Sequence, residues 1–233
     1  MSAALEVSGL TSGYSGAVVL RGLSLAVQPG EIVALLGKNG MGKSTLLKTI
    51  MGLLPARAGS VRLLGDDVTG EPAHRVARRP VAYTPQERAL FQDLSVEQNL
   101  QLGLADARGF DAQLARIGEI FPVLPTRLKQ RAGTLSGGEQ KMLLVARALM
   151  AKPKLMLIDE ISEGLQPSVI ERLAVVLKAE RDSAGTAMLV IEQNVGFALS
   201  IADRYAVLKM GEIVDHAAVV AGVAAHVADQ LGV

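Results

Sequence analysis

Cysteine is absent from all 233 residues, and so is tryptophan. Without thiols, the chain cannot form disulfides, Cys-ligated zinc sites or iron–sulfur clusters, and it cannot use a thiol nucleophile. Aromatic residues make up only 3% of the sequence. The core must therefore be aliphatic, and a platform of stacked rings for single-stranded nucleic acid is not expected. An excess of either charge is also missing: 24 Lys and Arg stand against 23 Asp and Glu. That balance does not suit a protein that coats DNA or RNA, so no nucleic-acid partner is expected. No apolar run approaches the ~20 residues that cross a bilayer. Met1 to Leu10 lacks a basic segment followed by an apolar one, so no signal peptide is expected and the chain reads as cytoplasmic. The three histidines, His74, His216 and His226, are widely spaced and show no metal-ligand pattern. Arg75, Arg78 and Arg79 read as a solvated basic face.

Hydrophobic residues are plentiful, at 49%, enough to bury a large core. Short apolar runs alternate with helical stretches. Glu31–Gly37, Val81–Thr84, Leu155–Ile158 and Ala187–Ile191 read as buried strands. That alternation predicts an α/β fold with a mostly parallel sheet covered by helices. Leu5–Leu10, Val18–Val27 and Ser60–Leu64 are β-like and separated by glycine-rich turns, which predicts an antiparallel flank at the N-terminal side. Strand signals vanish between Gln86 and Lys152, where Ser95–Leu104, Asp111–Phe121 and Ser136–Ala151 look helical. Residues 87–152 therefore read as a helical subdomain inserted into a core of 1–86 and 153–233. Tyr205 to Asp215 resembles a hairpin, and His216–Leu231 reads as a final helix.

Three segments carry chemistry. Gly37-Lys38-Asn39-Gly40-Met41-Gly42-Lys43-Ser44 fits G-x-x-x-x-G-K-[ST], a phosphate-binding loop. Its glycines permit a nest of inward N–H donors, and the helix beginning near Lys43 adds its positive end. Lys43 supplies a point charge for the β- and γ-phosphates, Ser44 a hydroxyl for Mg²⁺, and Thr45 a further phosphate contact. The second segment, Leu155-Met156-Leu157-Ile158-Asp159-Glu160, delivers two carboxylates to the C-terminal end of a buried strand, where α/β sheets bind ligands. Asp159 suits Mg²⁺ binding. Strand alternation turns Glu160 the other way, to orient or deprotonate a water. The third segment is Leu135-Ser136-Gly137-Gly138-Glu139-Gln140 at the start of a helix, a second anion cradle by the same physics. One γ-phosphate does not need two cradles from one chain, so the second is expected to close over a nucleotide held by another copy.

In this order the segments resemble those of ABC ATPases, and the resemblance runs along essentially the whole chain. It implies a P-loop NTPase core with an inserted helical subdomain. It also implies ATP and Mg²⁺ as ligands, and a head-to-tail dimer with an identical or paralogous ATPase subunit. Tyr14 matches the aromatic that stacks on adenine. Gly37, Lys38, Asn39, Gly40, Met41, Gly42, Lys43, Ser44 and Thr45 match Walker A. Gln86, after Tyr83-Thr84-Pro85, matches the Q-loop glutamine, placed near Mg²⁺ with Ser44 and Asp159. Ser136, Gly137, Gly138 and Glu139 match the signature that acts in trans, and Asp159 with Glu160 matches Walker B and its catalytic glutamate. Two departures stand out. Gln193, in Ile191-Glu192-Gln193-Asn194, occupies the place of the usual switch histidine and cannot become cationic. Ile161 and Gln166 replace the common proline and aspartate after Walker B.

The strings GKNGMGKST, SEGLQP and IEQN resemble the second ATPase subunit of branched-chain amino acid importers. SEGLQPS leans toward their urea and short-amide relatives. The resemblance implies transmembrane permease subunits, an extracytoplasmic solute-binding protein acting indirectly, and a peripheral position on the inner face of the membrane. Arg88–Asn99 is the segment expected to transmit motion to the permease. An ABC protein without a transporter is the alternative, disfavoured by the lack of paired ATPase domains or long coiled-coil insertions.

Overall fold

The computed structural model describes residues 2–86, 89–104, 106 and 108–232. The first sheet is antiparallel: β2 (Leu20–Val27), β1 (Leu5–Ser12), β4 (Ala56–Leu63) and β5 (Asp66–Asp67), in that spatial order. The second has the order β10-β9-β3-β8-β7-β6, with β3 Ile32–Leu36, β6 Val81–Thr84, β7 Leu155–Asp159, β8 Ala187–Glu192, β9 Arg204–Lys209 and β10 Glu212–Ala218. The five strands from β9 to β6 are parallel, and β10 pairs antiparallel with β9. Helices follow the strands as the α/β pattern requires: α1 (Lys43–Ile50) after β3, α6 (Pro167–Ala184) after β7 and α7 (Val195–Ile201) after β8. The short α2 (Ala73–Val76) precedes β6, and α8 (Val223–Leu231) closes the described chain. Between β6 and β7 the elements are helical: α3 (Val96–Gln101), α4 (Phe110–Ile120), two 3-10 turns and α5 (Gly137–Met150).

Continuous apolar runs are needed because β3, β7 and β8 are buried on both faces. Val33, Leu35, Leu157 and Leu189 face α1 through Leu46, Leu47 and Ile50. Met156, Ile158, Met188 and Val190 face the other way, toward Leu143 and Leu149 of α5 and Leu173 and Leu177 of α6. Each such leucine, buried from water, contributes about 1.5–3 kcal/mol. The helices between β6 and β7 thus share an apolar layer with the sheet, which fixes where α5 begins relative to the strand ends.

Several boundaries differ from the sequence reading. The helix expected over His216–Leu231 begins only at Val223. His216, Ala217 and Ala218 instead extend β10, paired with Ala206, Tyr205 and Arg204. Ladder pairing with β9 overrides the helix preference of Ala-rich sequence. The helix after the phosphate loop stops at Ile50 because Gly52 turns left-handed at φ 68°. Ser95 is a cap rather than a helical residue, accepting from the Gln98 N–H while Gln98 returns a bond to the Ser95 N–H. Arg79 is not part of a free basic face: it bridges Asp66 at 2.6 Å and Glu71 at 3.1 Å. Arg88, the first residue of the expected coupling segment, lies outside the described residues. No helix among them is long and apolar enough to cross a membrane.

Candidate nucleotide-binding site

The ends of β3 and β7 bring the phosphate loop and the carboxylate pair together. Gly40 and Gly42 take φ of 80° and 106°, a region that other residues resist. Gly37 is needed for a different reason: a Cβ there would lie 2.8 Å from the Leu208 carbonyl oxygen on β9. A cleft of about 240 Å³ opens above the loop, lined by Tyr14, Asn39, Gly40, Gly42, Lys43, Ser44, Thr45, Gln86 and Glu160, with Val19 at its wall. Tyr14 is 46% exposed at the rim, with the Lys48 ammonium 6.0 Å from its ring centroid. Two loop residues turn elsewhere. The Lys38 ammonium donates to the Gly232 carbonyl at 3.0 Å, and the Met41 sulfur accepts from the Met210 N–H at 3.3 Å.

Lys43 is 4% exposed and fully engaged within the chain. Its ammonium donates to the carbonyls of Gly37 (2.8 Å) and Lys38 (3.1 Å) and pairs with Glu160 Oε1 at 3.0 Å. The other carboxylate oxygen of Glu160 accepts from Gln86 Nε2 and from Gln193 Nε2, both at 2.8 Å. Gln86 Nε2 also reaches Glu163 Oε2 at 2.9 Å. Three residues far apart in sequence therefore converge on one carboxylate. Glu160 departs from the strand alternation expected of it. β7 ends at Asp159, and Glu160 adopts a left-handed φ of 47°; Glu160 lines the cleft, while Asp159 meets the loop through Ser44. Such a backbone costs a non-glycine residue about 1–2 kcal/mol. The Glu160 N–H donates to the Ile191 carbonyl at 2.9 Å, and its own carbonyl accepts from Lys141 Nζ of α5 at 3.3 Å.

Asp159 accepts from the Ser44 hydroxyl at 3.4 Å. Burial raises its carboxyl to about 6, the Ser44 hydrogen bond opposing the shift and the neighbouring Glu160 adding to it. A part-buried hydroxyl–carboxylate pair of hard oxygens fits Mg²⁺. Gln86, expected at the same ion, instead has its amide nitrogen turned to Glu160 and Glu163.

The signature lies outside this cleft: no residue of Ser136–Glu139 lines it. Ser136 caps α5 and, with Gly137, is exposed. The Glu139 N–H donates to Ser136 Oγ at 3.3 Å, while the Ser136 N–H and hydroxyl both donate to Glu139 Oε2 at 2.9 Å. These bonds form a reciprocal capping box. The Ser136 N–H holds the Glu139 carboxyl below its usual range, and Arg127 at 3.0 Å adds to that.

Sequence reasoning assigned no role to Lys141, Ser162 or Glu192. Glu192 is 1% exposed and accepts from the Ser162 N–H (3.0 Å), the Ser162 hydroxyl (2.8 Å) and the Gln193 N–H (3.2 Å). The signal was present: an acid ends the unbroken apolar run of β8, as Asp159 ends that of β7.

The ABC transporter family model matches residues 20–163. The high-affinity branched-chain amino acid transport ATP-binding protein BraG of Pseudomonas aeruginosa is 44% identical over 214 residues, 91% of each chain. Among solved structures, a nucleotide-free ATP-binding cassette from an ABC transporter superposes with a TM-score of 0.88 at 23% identity, over 99% of this chain and 98% of that one. A dimeric cassette in a post-hydrolysis state, bound to ADP and phosphate, superposes with a TM-score of 0.81 at 21% identity, over 93% and 99%. At those identities the two structures establish the fold, while the family match and BraG establish kinship. The chain belongs to the ABC transporter family, as an ATP-binding and ATP-hydrolysing subunit.

Proposed function

We propose that this subunit powers the import of branched-chain or other hydrophobic amino acids. It would work with a second ATPase subunit, a pair of membrane permease subunits and, indirectly, an extracytoplasmic solute-binding protein. The observation that carries the substrate class is the likeness to BraG over 91% of both chains. Its place is the inner face of the membrane, bound to the permease.

In this reading adenine rests on Tyr14, and the phosphates lie on the backbone of Gly37–Thr45 against Lys43. Ser44 and Asp159 would hold Mg²⁺, with Gln86 nearby, and the ion would neutralise charge on the β- and γ-phosphates. Glu160, released from Lys43, orients a water for in-line attack on the γ-phosphorus and takes its proton. The bond from that phosphorus to the β,γ-bridging oxygen breaks, leaving ADP and phosphate. Gln193 donates to the γ-phosphate through its neutral amide. Ser136 and Gly137, exposed, and the half-buried Gly138 lie outside their own cleft and close over a nucleotide held by the other subunit, with Glu139 beside them. Residues 87–152 form the signature-bearing subdomain, and 1–86 with 153–233 the nucleotide-binding core. The segment 88–99 carries the motion to the permease.

The test is reconstitution with the permease and binding protein in proteoliposomes. ATP hydrolysis and uptake should both rise when leucine-loaded binding protein is added. Stimulation by urea or a short amide, and none by leucine, would move the chain to that branch. Failure to co-purify with any permease would refute the transport role.

A further inference from the structure

Glu192 is a buried carboxylate that the hydrolysis scheme does not use. It stands at the end of β8, directly before Gln193, and is 1% exposed. Burial raises its pKa, opposed by the bonds from Ser162, Asn194 and Gln193. Its two oxygens divide their partners. Oε1 takes the Ser162 N–H, and Oε2 takes the Ser162 hydroxyl and the Gln193 N–H. Ser162 lies two residues past Glu160. One carboxylate therefore ties the segment leaving Walker B to the segment carrying the switch glutamine. Gln193 and Glu160 meet at 2.8 Å on the same side of that tie.

We propose that Glu192 is a positioning residue for hydrolysis: by clamping Ser162 to the backbone of Gln193, it sets the spacing between the Gln193 amide and the Glu160 carboxylate. The proposal rests on the roles given above to Glu160 and Gln193. Two features favour a carboxylate over a hydroxyl or amide here. Only an ionised carboxyl accepts from all its neighbours at once without presenting a donor of its own. The backbone at Glu160 is also left-handed, and a strained segment keeps its geometry only when its surroundings over-determine it. The Glu160 N–H to the Ile191 carbonyl restrains Glu160 itself, and the Glu192 tie from Ser162 to the Gln193 N–H sets where Gln193 stands against it.

The experiment is a kinetic cycle on the assembled transporter, measuring kcat and KM for ATP. Glu192→Gln keeps the volume but turns an amide donor toward Ser162 or Gln193. It should lower kcat about tenfold or more while KM stays within about twofold. Ser162→Ala leaves the carboxylate in place and should lower kcat in the same direction by less, which covers the case in which Glu192→Gln fails to fold. The decisive arm is the Gln193→Ala background. Once the positioned amide is gone, adding Glu192→Gln should change kcat by less than about twofold. An equal loss in both backgrounds would mean a merely structural residue and overturn the proposal, as would wild-type kcat in Glu192→Gln. Wild-type turnover in Gln193→Ala alone would instead remove the role assigned to Gln193, and the proposal with it.

Discussion

Replacing Glu160 by glutamine should move nucleotide affinity and turnover in opposite directions. The Glu160 carboxylate pairs with Lys43 at 3.0 Å, and both side chains are 4% exposed. Removing one member of a buried pair commonly costs about 3–5 kcal/mol. Here the loss should be smaller, about 1–3 kcal/mol, because Lys43 keeps the Gly37 and Lys38 carbonyls. At about 2–4 °C per kcal/mol for a chain of this size, the resting protein should melt several degrees lower. The same pair must break before Lys43 can meet a phosphate. The energy lost from the resting state therefore reappears as tighter ATP binding, about 5–150-fold. Turnover should fall by about 10²–10⁴, since the group proposed to orient water is gone. Thermal melts with and without Mg-ATP, equilibrium binding of a fluorescent ATP analogue and phosphate release measure the three quantities. An unchanged resting melt together with unchanged affinity would refute the ion pair as an energetic lock. Near-normal phosphate release would remove Glu160 from the chemistry.

Lys43→Ala should weaken ATP binding by an order of magnitude or more and abolish turnover; unchanged affinity and turnover together would undo the phosphate-loop assignment. Glu139→Gln preserves the capping geometry but removes a negative charge from the cradle proposed to take a partner's γ-phosphate. Two like charges about 5 Å apart repel by about 3 kcal/mol at an effective dielectric of 20, of which solvent and side-chain rotation remove most. The KM for ATP should drop severalfold while the melting temperature falls by at most a few degrees, from loss of the Arg127 pair and the helix-end charge; an unchanged KM would argue against phosphate contact at Ser136. Asp159 makes the resting chain pH-sensitive. Its carboxyl holds a proton up to about pH 6 when folded, whereas an unfolded Asp releases it near 3.9. That contribution is complete below about pH 4 and is lost as pH rises through 6, a loss of up to about 3 kcal/mol. The melting temperature of the wild type relative to Asp159→Asn should fall between pH 4 and 6.5 and stay level above; a constant difference would refute the shift.

The parts of the site readable from sequence were those whose residue types are dictated by backbone geometry. Gly37, Gly40 and Gly42 answer to close approach or positive φ, and the acids Asp159 and Glu160 follow a run that only a buried strand explains. Strand identities in the parallel sheet were legible for the same reason: two buried faces leave no polar alternation to confuse the pattern. What escaped depends on tertiary registration. No spacing rule brings Lys141 to the Glu160 carbonyl or Ser162 to Glu192, because each contact joins segments set by the packing of α5 on β7 or β8 on β7. The left-handed turn at Glu160 is invisible to a period-2 argument, which describes residues inside a strand and fails one residue past its end. The tail 216–218 was misread because alanine favours helices, while the partner strand that claims it lies across a turn.

Both anion-seeking ends of the molecule are met by carboxylates of the same chain. At the phosphate loop, the Lys43 charge is met by Glu160. At the signature, the Ser136 hydroxyl and the positive end of α5 are met by Glu139. In each case an internal carboxylate occupies a place suited to a phosphate oxygen, so neither cradle stands as a desolvated, unpaired polar group. The two carboxylates differ in what displacement does to them. Glu160 is buried and keeps two amide donors, Gln86 and Gln193, once Lys43 leaves. It is thus handed to the group that places it rather than released to solvent. Glu139 lies at an exposed helix end and is already paired with Arg127 at 3.0 Å, so leaving Ser136 does not strand its charge. In the proposed scheme, nucleotide arrival at the first cradle rearranges a hydrogen-bonded core, whereas closure at the second moves an exposed helix end. The expected order therefore places the rearrangement at Lys43 and Glu160 ahead of subunit closure. Burst measurements on rapid mixing with ATP should accordingly show a step sensitive to Glu160→Gln and indifferent to Glu139→Gln; a first step that responds to Glu139 instead would reverse the order.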